Sequence, residues 1–339
     1  MTLMTTRRSA LAAAAVVGAL VAGPSLASTA DASQSAGTVT RIAGADRYEA
    51  SANISKANYA PGVATAYVTS GLVFTDALSG APVAGRDGGP VLLTRPDYVP
   101  DSVIAELTRL APKNIVVLGG TNSVSGAVMN TLRTLTTGEV SRIAGQTRYS
   151  ASANISELNF APGPDVTFVA SGEVFPDALS GAPVAGKTPG PVLLIEHDGV
   201  PGVVKKELER LQSKSIVVLG GENTIDQDTY SFLTRYTTGG VSRWAGPDRF
   251  STSATISSNA YAPGVNTVYV ASGRVFADAL SGAPVAGKNK GPVLLVDTDA
   301  IPASVDSELK RLAPTNIVLL GGPASVSTNV EAKLATYLK

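Results

Sequence analysis

The 339-residue sequence contains no cysteine. That excludes a disulfide framework, thiolate metal sites and a cysteine nucleophile. Histidine occurs once, at His197, so repeated units cannot each carry one, and most zinc-hydrolase and Ser-His-Asp arrangements fall away. Neither charge is in excess, with 27 Lys+Arg against 27 Asp+Glu, and there is no basic stripe of the kind a nucleic-acid binder displays. Only 16% of residues are charged, while 44% are apolar, the composition of a chain that buries a core. Past the N-terminal segment no apolar run is long enough to anchor in a membrane. No LPxTG-type sorting signal is present either, since Leu312-Ala313-Pro314-Thr315-Asn316 does not fit one. A protein with these features stays at a cell surface only if it binds something there.

The N-terminal segment has the pattern of an export signal. Arg7 and Arg8 precede an almost purely apolar run from Leu11 to Val21, too short to span a bilayer comfortably. Small residues at Ser25-Leu26-Ala27 and Ala30-Asp31-Ala32 place cleavage after residue 27 or after residue 32. Thr6-Arg7-Arg8-Ser9 is only loosely similar to a twin-arginine signal, which leaves the general secretion route open.

The sequence after this segment is repetitive. Arg41-Ile42-Ala43-Gly44 returns as Arg142-Ile143-Ala144-Gly145 and as Arg243-Trp244-Ala245-Gly246, a spacing of 101 residues. Ser70-Gly71, Leu118-Gly119-Gly120 and the block Asp76-Ala77-Leu78-Ser79-Gly80-Ala81-Pro82 keep the same register. A period this long exceeds the common solenoid units and suits a small domain. We therefore expect three modules, at 38–138, 139–239 and 240–339. The short polar junctions Thr136-Thr137-Gly138 and Thr237-Thr238-Gly239-Gly240 imply a fixed assembly.

Within the first repeat, strands are predicted at Val39–Ala43, Ala66–Thr69, Pro90–Leu93 and Ile115–Leu118. Helices are predicted to open near Arg47, Asp76, Asp101 and Ser125, and Val103, Leu107 and Leu110 share one helical face. Strands alternating with helices imply an α/β module with a small parallel sheet and right-handed crossovers.

In such sheets ligands lie beyond the C-terminal strand ends. The candidate binding residues are therefore Asp46 and Arg47, Ser70 and Gly71, Asp76, and Gly119 and Gly120. Their counterparts are Arg148, Ser171, Gly172, Asp177, Gly220 and Gly221 in the second repeat. In the third they are Asp248, Arg249, Ser272, Gly273, Asp278, Gly321 and Gly322. Glycines admit a close backbone approach, and arginine suits phosphate or carboxylate. Each element also has a plainer reading. Asp76 is suited to helix capping and the glycine pairs to tight turns. Arg41 and Arg47 are placed to pair with Asp46 or Asp76, or to lie across a module interface. Position 46 is threonine in the second repeat, Thr147, so a carboxylate there cannot serve all three copies. His197, without a histidine counterpart, is read as a surface loop residue, and Tyr48, Tyr149 and Phe250 as core.

Arg-Ile-Ala-Gly-x-Asp-Arg-Tyr at 41–48, Ser-Gly-x-x-Phe-x-Asp-Ala-Leu-Ser-Gly at 70–80, Gly-Pro-Val-Leu-Leu at 89–93 and Leu-Gly-Gly at 118–120 resemble the cell wall binding repeat 2 family. The resemblance spans about residues 38 to 339. It implies secreted proteins of Gram-positive bacteria, with three Rossmann-like or Toprim-like modules packed as a pseudo-three-fold unit. It further implies non-covalent anchoring to an anionic cell-wall polysaccharide or teichoic-acid-like polymer. Many family members also carry an amidase or protease domain, and the expectation for this sequence is the triplet alone, without enzymatic activity, cofactor or metal. Two other functions fit the residues: a surface adhesin or structural protein acting through protein partners, and a wall hydrolase using Asp46 and Asp76 as a carboxylate pair.

Overall fold

The computed structural model describes residues 37–339, so the export signal and its cleavage sites lie outside the described residues. Repeat 1 runs β1 (Thr38–Ile42), α1 (Arg47–Asn58), β2 (Thr65–Ser70), α2 (Thr75–Asp87), β3 (Val91–Thr94), α3 (Asp101–Leu110), β4 (Asn114–Leu118) and α4 (Gly126–Arg133). Repeat 2 follows as β5 (Val140–Ile143), α5 (Arg148–Asn159), β6 (Val166–Ser171), α6 (Pro176–Lys187), β7 (Val192–Ile195), α7 (Gly202–Leu211), β8 (Ser215–Leu219) and α8 (Gln227–Leu233). Repeat 3 has β9 (Val241–Trp244), α9 (Arg249–Ala260), β10 (Thr267–Ser272), α10 (Phe276–Lys288), β11 (Val293–Val296), α11 (Ala303–Leu312), β12 (Asn316–Leu320) and α12 (Thr328–Leu334). The expected alternation holds, including the cap on α4, where Ser125 Oγ accepts from Val128 N.

The three sheets are parallel and four-stranded, in the orders β3-β2-β4-β5, β7-β6-β8-β9 and β11-β10-β12-β1. Each sheet therefore takes its fourth strand from another repeat. β5 of repeat 2 pairs with β4, β9 of repeat 3 with β8, and β1 with β12, which closes the chain into a ring. The central strands β4, β8 and β12 are nearly continuous apolar runs, and β2, β6 and β10 are buried at all but their first residue, as expected of strands covered on both faces.

The arginine of each Arg-Ile/Trp-Ala-Gly block fastens these junctions. Arg142 donates to the carbonyls of Gly119 and Val124, and Arg243 to those of Gly220 and Ile225. Arg41 does the same to Gly321 and Val326. It also pairs with Glu331 at 2.9 Å, where the other repeats have Met129 and Tyr230. The added ion pair thus falls at the one junction with no covalent continuity. Of the two expectations for Arg41, the interface position holds and the pairing with Asp46 or Asp76 does not, because β1 crosses to the sheet of repeat 3.

Helices α2, α6 and α10 meet on the pseudo-three-fold axis. Their shared Ser-Gly-Ala-Pro segment explains how they fit. A Cβ on Gly80 would sit 2.2 Å from Leu118 Cδ1, so glycine lets the helix lie on its own sheet. Ala81, Ala182 and Ala283 then form a small cluster of their own between the helices. At one end of the axis Phe74, Phe175 and Phe276 form a triangle with ring centroids 5.7–5.9 Å apart. Cations cap helix ends across each junction. Lys288 Nζ donates to Asn58 O at 2.9 Å, Lys187 Nζ to Ala260 O at 2.6 Å and Arg86 Nη1 to Asn159 O at 2.7 Å. Each also stands over an aromatic ring, Tyr59, Tyr261 or Phe160. Charge at a helix C-terminus and cation–π contact reinforce one another here.

Replacing Ala182 with Leu overfills this axis. Denaturant unfolding is expected to show a loss of about 1–3 kcal/mol, whereas Val203→Ala at an exposed helix position should leave stability unchanged.

Candidate functional site

The loops at the C-terminal strand ends do not act repeat by repeat. They meet across junctions, because the first strand of each repeat lies in the sheet of another. One groove is lined by Asp76, Gly120, Asn122 and Ser123 from repeat 1 and by Gly145, Thr147 and Arg148 from repeat 2, with a volume of about 600 Å³. A narrower one, about 150 Å³, is lined by Asp177, Gly221, Asn223 and Thr224 facing Gly246, Asp248 and Arg249. At the ring closure, Asp278 stands beside Ser325 and in the field of Arg47.

The arginines are held in the same way in each copy. The Nη1 atom of Arg47 donates to Gly71 O at 2.6 Å and that of Arg249 to Gly273 O at 2.7 Å, and Arg148 donates likewise to Gly172 O. One N–H is thereby engaged, and the guanidinium makes no other hydrogen bond among the described residues. Arg47 and Arg249 also lie over Phe276 and Phe175 of the axial triangle. Arg47 forms no ion pair with Asp46 or Asp76 and lies instead at the interface with repeat 3, the other expectation for it. Across the ring closure the carboxylate acting on Arg47 is Asp278.

Asp46 and Asp248 are the N-caps of α1 and α9. Asp46 accepts from Tyr48 N and Glu49 N, each at 2.9 Å, and Asp248 accepts from Ser251 N at 2.7 Å. Thr147 caps α5 within a capping box, so its hydroxyl replaces the carboxylate without loss of the cap. The capping role foreseen for Asp76 falls instead to position 46. Asp76 lies in the first turn of α2, whose N-cap is Phe74. It is buried, as are Asp177 and Asp278.

Burial raises all three buried carboxyls, and the hydroxyls of Ser123, Thr224 and Ser325, then the neighbouring arginine, pull the other way. For Asp177 the balance is a pKa of about 6. Gly119, Gly220 and Gly321 have φ of 114°, 107° and 104°. A Cβ on Gly119 would stand 2.5 Å from Asp76 Oδ2, so glycine is required twice over.

Ser70, Ser171 and Ser272 turn their hydroxyls inward to accept the N–H two residues on. Gly71, Gly172 and Gly273 lie under an aromatic ring, with a Cβ on Gly71 falling 2.6 Å from Tyr48 Cε1. These are turn and packing residues that set the height of the arginine. Gly120 and Gly221 line the grooves directly, while Gly322 has open space about its Cα. Tyr48 is buried, and Tyr149 and Phe250 pack half-buried against the core. His197 sits in a turn with Nε2 3.1 Å from Glu222 O.

Two features went unnoticed in the sequence. Glu106 is buried in α3 and receives Arg109 through two hydrogen bonds of 2.7 Å as well as Ser55 Oγ; Glu207 with Arg210 and Glu308 with Arg311 repeat the arrangement. An acidic and a basic residue three apart on a helix read as solvent-facing, but the exact 101-residue recurrence of all three partners was a usable signal. The second is a cavity of about 630 Å³ beside the C-terminal end of α7, lined by Gln212, Arg235 and Tyr236; it is not built from the repeated loops.

The wall-hydrolase pair is not assembled. Asp76 shares its groove with Thr147, and Asp177 with Asp248, so a position-46 residue faces the buried acid of the preceding repeat. Asp46 and Asp76 accordingly belong to different grooves. Among the described residues no cluster of acidic or histidine side chains suits a metal ion, and no helix is long and apolar enough to cross a membrane.

Two inter-repeat grooves and the equivalent juxtaposition of Asp278 and Arg47 at the ring closure each bring a buried acid beside an arginine, on a closed ring of α/β units. The Cell wall binding domain 2 (CWB2) profile matches residues 41–129, 142–230 and 243–331, and the chain belongs to that family. It is 31% identical over 295 residues to the amidase enhancer of Bacillus subtilis (strain 168), covering 87% of this chain and 40% of that protein. It is 28% identical over 297 residues to N-acetylmuramoyl-L-alanine amidase LytC of the same organism, covering 88% and 58%. The chain thus spans roughly half the length of these relatives. Two solved structures share the fold: Cwp6 from Clostridium difficile, with a TM-score of 0.84, 23% identity and coverage of 90% and 48%, and Cwp8 from Clostridium difficile, with 0.80, 24%, and 89% and 52%.

A buried acid whose folded pKa lies above its unfolded value favours the folded state only while protonated. The stability contributed by Asp177 is therefore present below about pH 4 and lost as the pH rises through about 6. Asp177→Asn should remove that dependence and gain on the order of 2–3 kcal/mol at pH 7 relative to the parent, read from urea unfolding at pH 4, 5, 6 and 7.

Proposed function

We propose that the three grooves bind successive anionic groups of a cell-wall polysaccharide or teichoic-acid-like polymer. The protein, exported through the signal at residues 1–27, is thereby anchored without a covalent link to the surface of a Gram-positive cell. The observation that carries this reading is the partly free arginine fork in each groove, Arg47, Arg148 and Arg249, repeated on one closed body. Guanidinium groups match phosphate and carboxylate geometry. A repeating polymer that meets several weak sites gains affinity through effective concentration. In this reading the loops and the inter-repeat grooves are a single feature, and the expected ligand set reduces to the arginines, the buried acids and the groove-lining glycines. The modules at 38–138, 139–239 and 240–339 are units of sequence, and the binding units straddle their boundaries.

The chain acts in this reading as a binding protein and not as an enzyme. The capping carboxylates are committed to backbone N–H groups, and membership in a wall-binding family supports a non-catalytic role.

The test is co-sedimentation of the protein with purified sacculi before and after acid stripping of covalently attached anionic polymer. Binding to native walls, release on stripping, and a loss of at least tenfold in the Arg47→Ala/Arg148→Ala/Arg249→Ala variant are expected. No pelleting with native walls would reject the anchoring reading in favour of a protein-directed surface role.

A further inference from the structure

Repeat 1 carries a feature that the other repeats lack. At the end of β3, Arg95 stands where repeats 2 and 3 have Glu196 and Asp297. Its buried Nε has no hydrogen-bond partner among the described residues, and no carboxylate there forms an ion pair with it. Asp97 and Asp101 lie nearby in the chain without engaging it. In repeat 3, by contrast, Asp297 is taken up by Arg274 at 2.7 Å.

The guanidinium is instead flanked by aromatic rings. Its central carbon lies 5.9 Å from the centroid of Tyr48 and 5.5 Å from that of Tyr98. Tyr48 is buried and its hydroxyl is likewise without a partner. Tyr98 is 51% exposed, and its counterparts are Gly199 and Ala300. The loop is well held, with Thr94 Oγ1 donating to Tyr98 O at 3.0 Å. Gly71 N donates to Thr94 O at 2.8 Å, while Gly71 O receives Arg47. Arg47 and Arg95 thus flank the same turn.

A buried guanidinium nitrogen without a partner is costly unless something supplies an acceptor. We propose that Arg95, Tyr48 and Tyr98 form a subsite, confined to repeat 1, for an anionic sugar. The guanidinium binds the carboxylate or phosphate, and the exposed tyrosine ring covers the apolar face of the sugar. This rests on the polymer reading and deepens it. Three near-equivalent grooves cannot by themselves set the register of a repeating polymer, and one unequal contact does.

The test is NMR titration of the full chain, labelled at arginine side chains and backbone amides, with glucuronate, glucose 1-phosphate and glucose. Arg95 Nε–H and the Tyr98 amide are expected to shift with the anionic probes and not with glucose; a response to only one of them identifies the anion. Arg95→Glu and Tyr98→Gly, the residues of repeat 2, should each weaken the probe at least tenfold with unfolding midpoints unchanged. If either variant unfolds, Arg95→Lys keeps the charge without the planar fork and should still lose most of the affinity. Unchanged affinity in the folded variants, an equal response to glucose, or shifts confined to the grooves at Arg148 and Arg249 would overturn the proposal. A parent protein that fails to pellet with walls, yet shows the Arg95 response, would count against the polymer reading alone.

Discussion

Pairing of each repeat's first strand with a sheet belonging to another repeat is the constraint on which everything else depends. A parallel strand needs a neighbour for its N–H and C=O groups. By finding that neighbour in another repeat, β5, β9 and β1 turn three similar sequences into one body. The loop that follows each such strand is delivered beside the buried aspartate of a different repeat, which is how every groove comes to have two owners. The arginine within the strand secures the arrangement by satisfying carbonyls of the adjoining Leu-Gly-Gly loop.

The axial helices respond to the same closure. Glycine and proline are poor material for an isolated helix, yet α2, α6 and α10 place them where three helices converge. Small side chains allow the approach, and the phenylalanine triangle and the capping cations close the two ends. A residue choice that weakens the helix alone is what permits the assembly.

Much of this was legible in the sequence. The 101-residue register located every strand and helix to within a few residues, because apolar runs and turn residues recur without insertion. The exchange of strands between repeats was not legible. Val140 to Ile143 has the same pattern as Thr38 to Ile42, and hydrophobic periodicity does not say which of three near-identical edges a strand joins. The roles of the aspartates were also out of reach. Asp46 and Asp76 both stand at helix starts, and whether such a residue caps the helix or turns inward depends on a displacement of two positions. The substitution of Thr147 for aspartate held the clue, since a hydroxyl can replace a carboxylate in a cap.

The ring closure has a topological consequence. Gly37 lies against Thr315 and Leu338, so the two ends of the described chain run close together. The cycle of sheets closes on itself, and the strand pairing at the β12–β1 junction repeats that at the other two. A circular permutant, joined from 339 to 37 and opened between Thr137 and Gly138, would trace the same three sheets, with its break at the edge between β4 and β5.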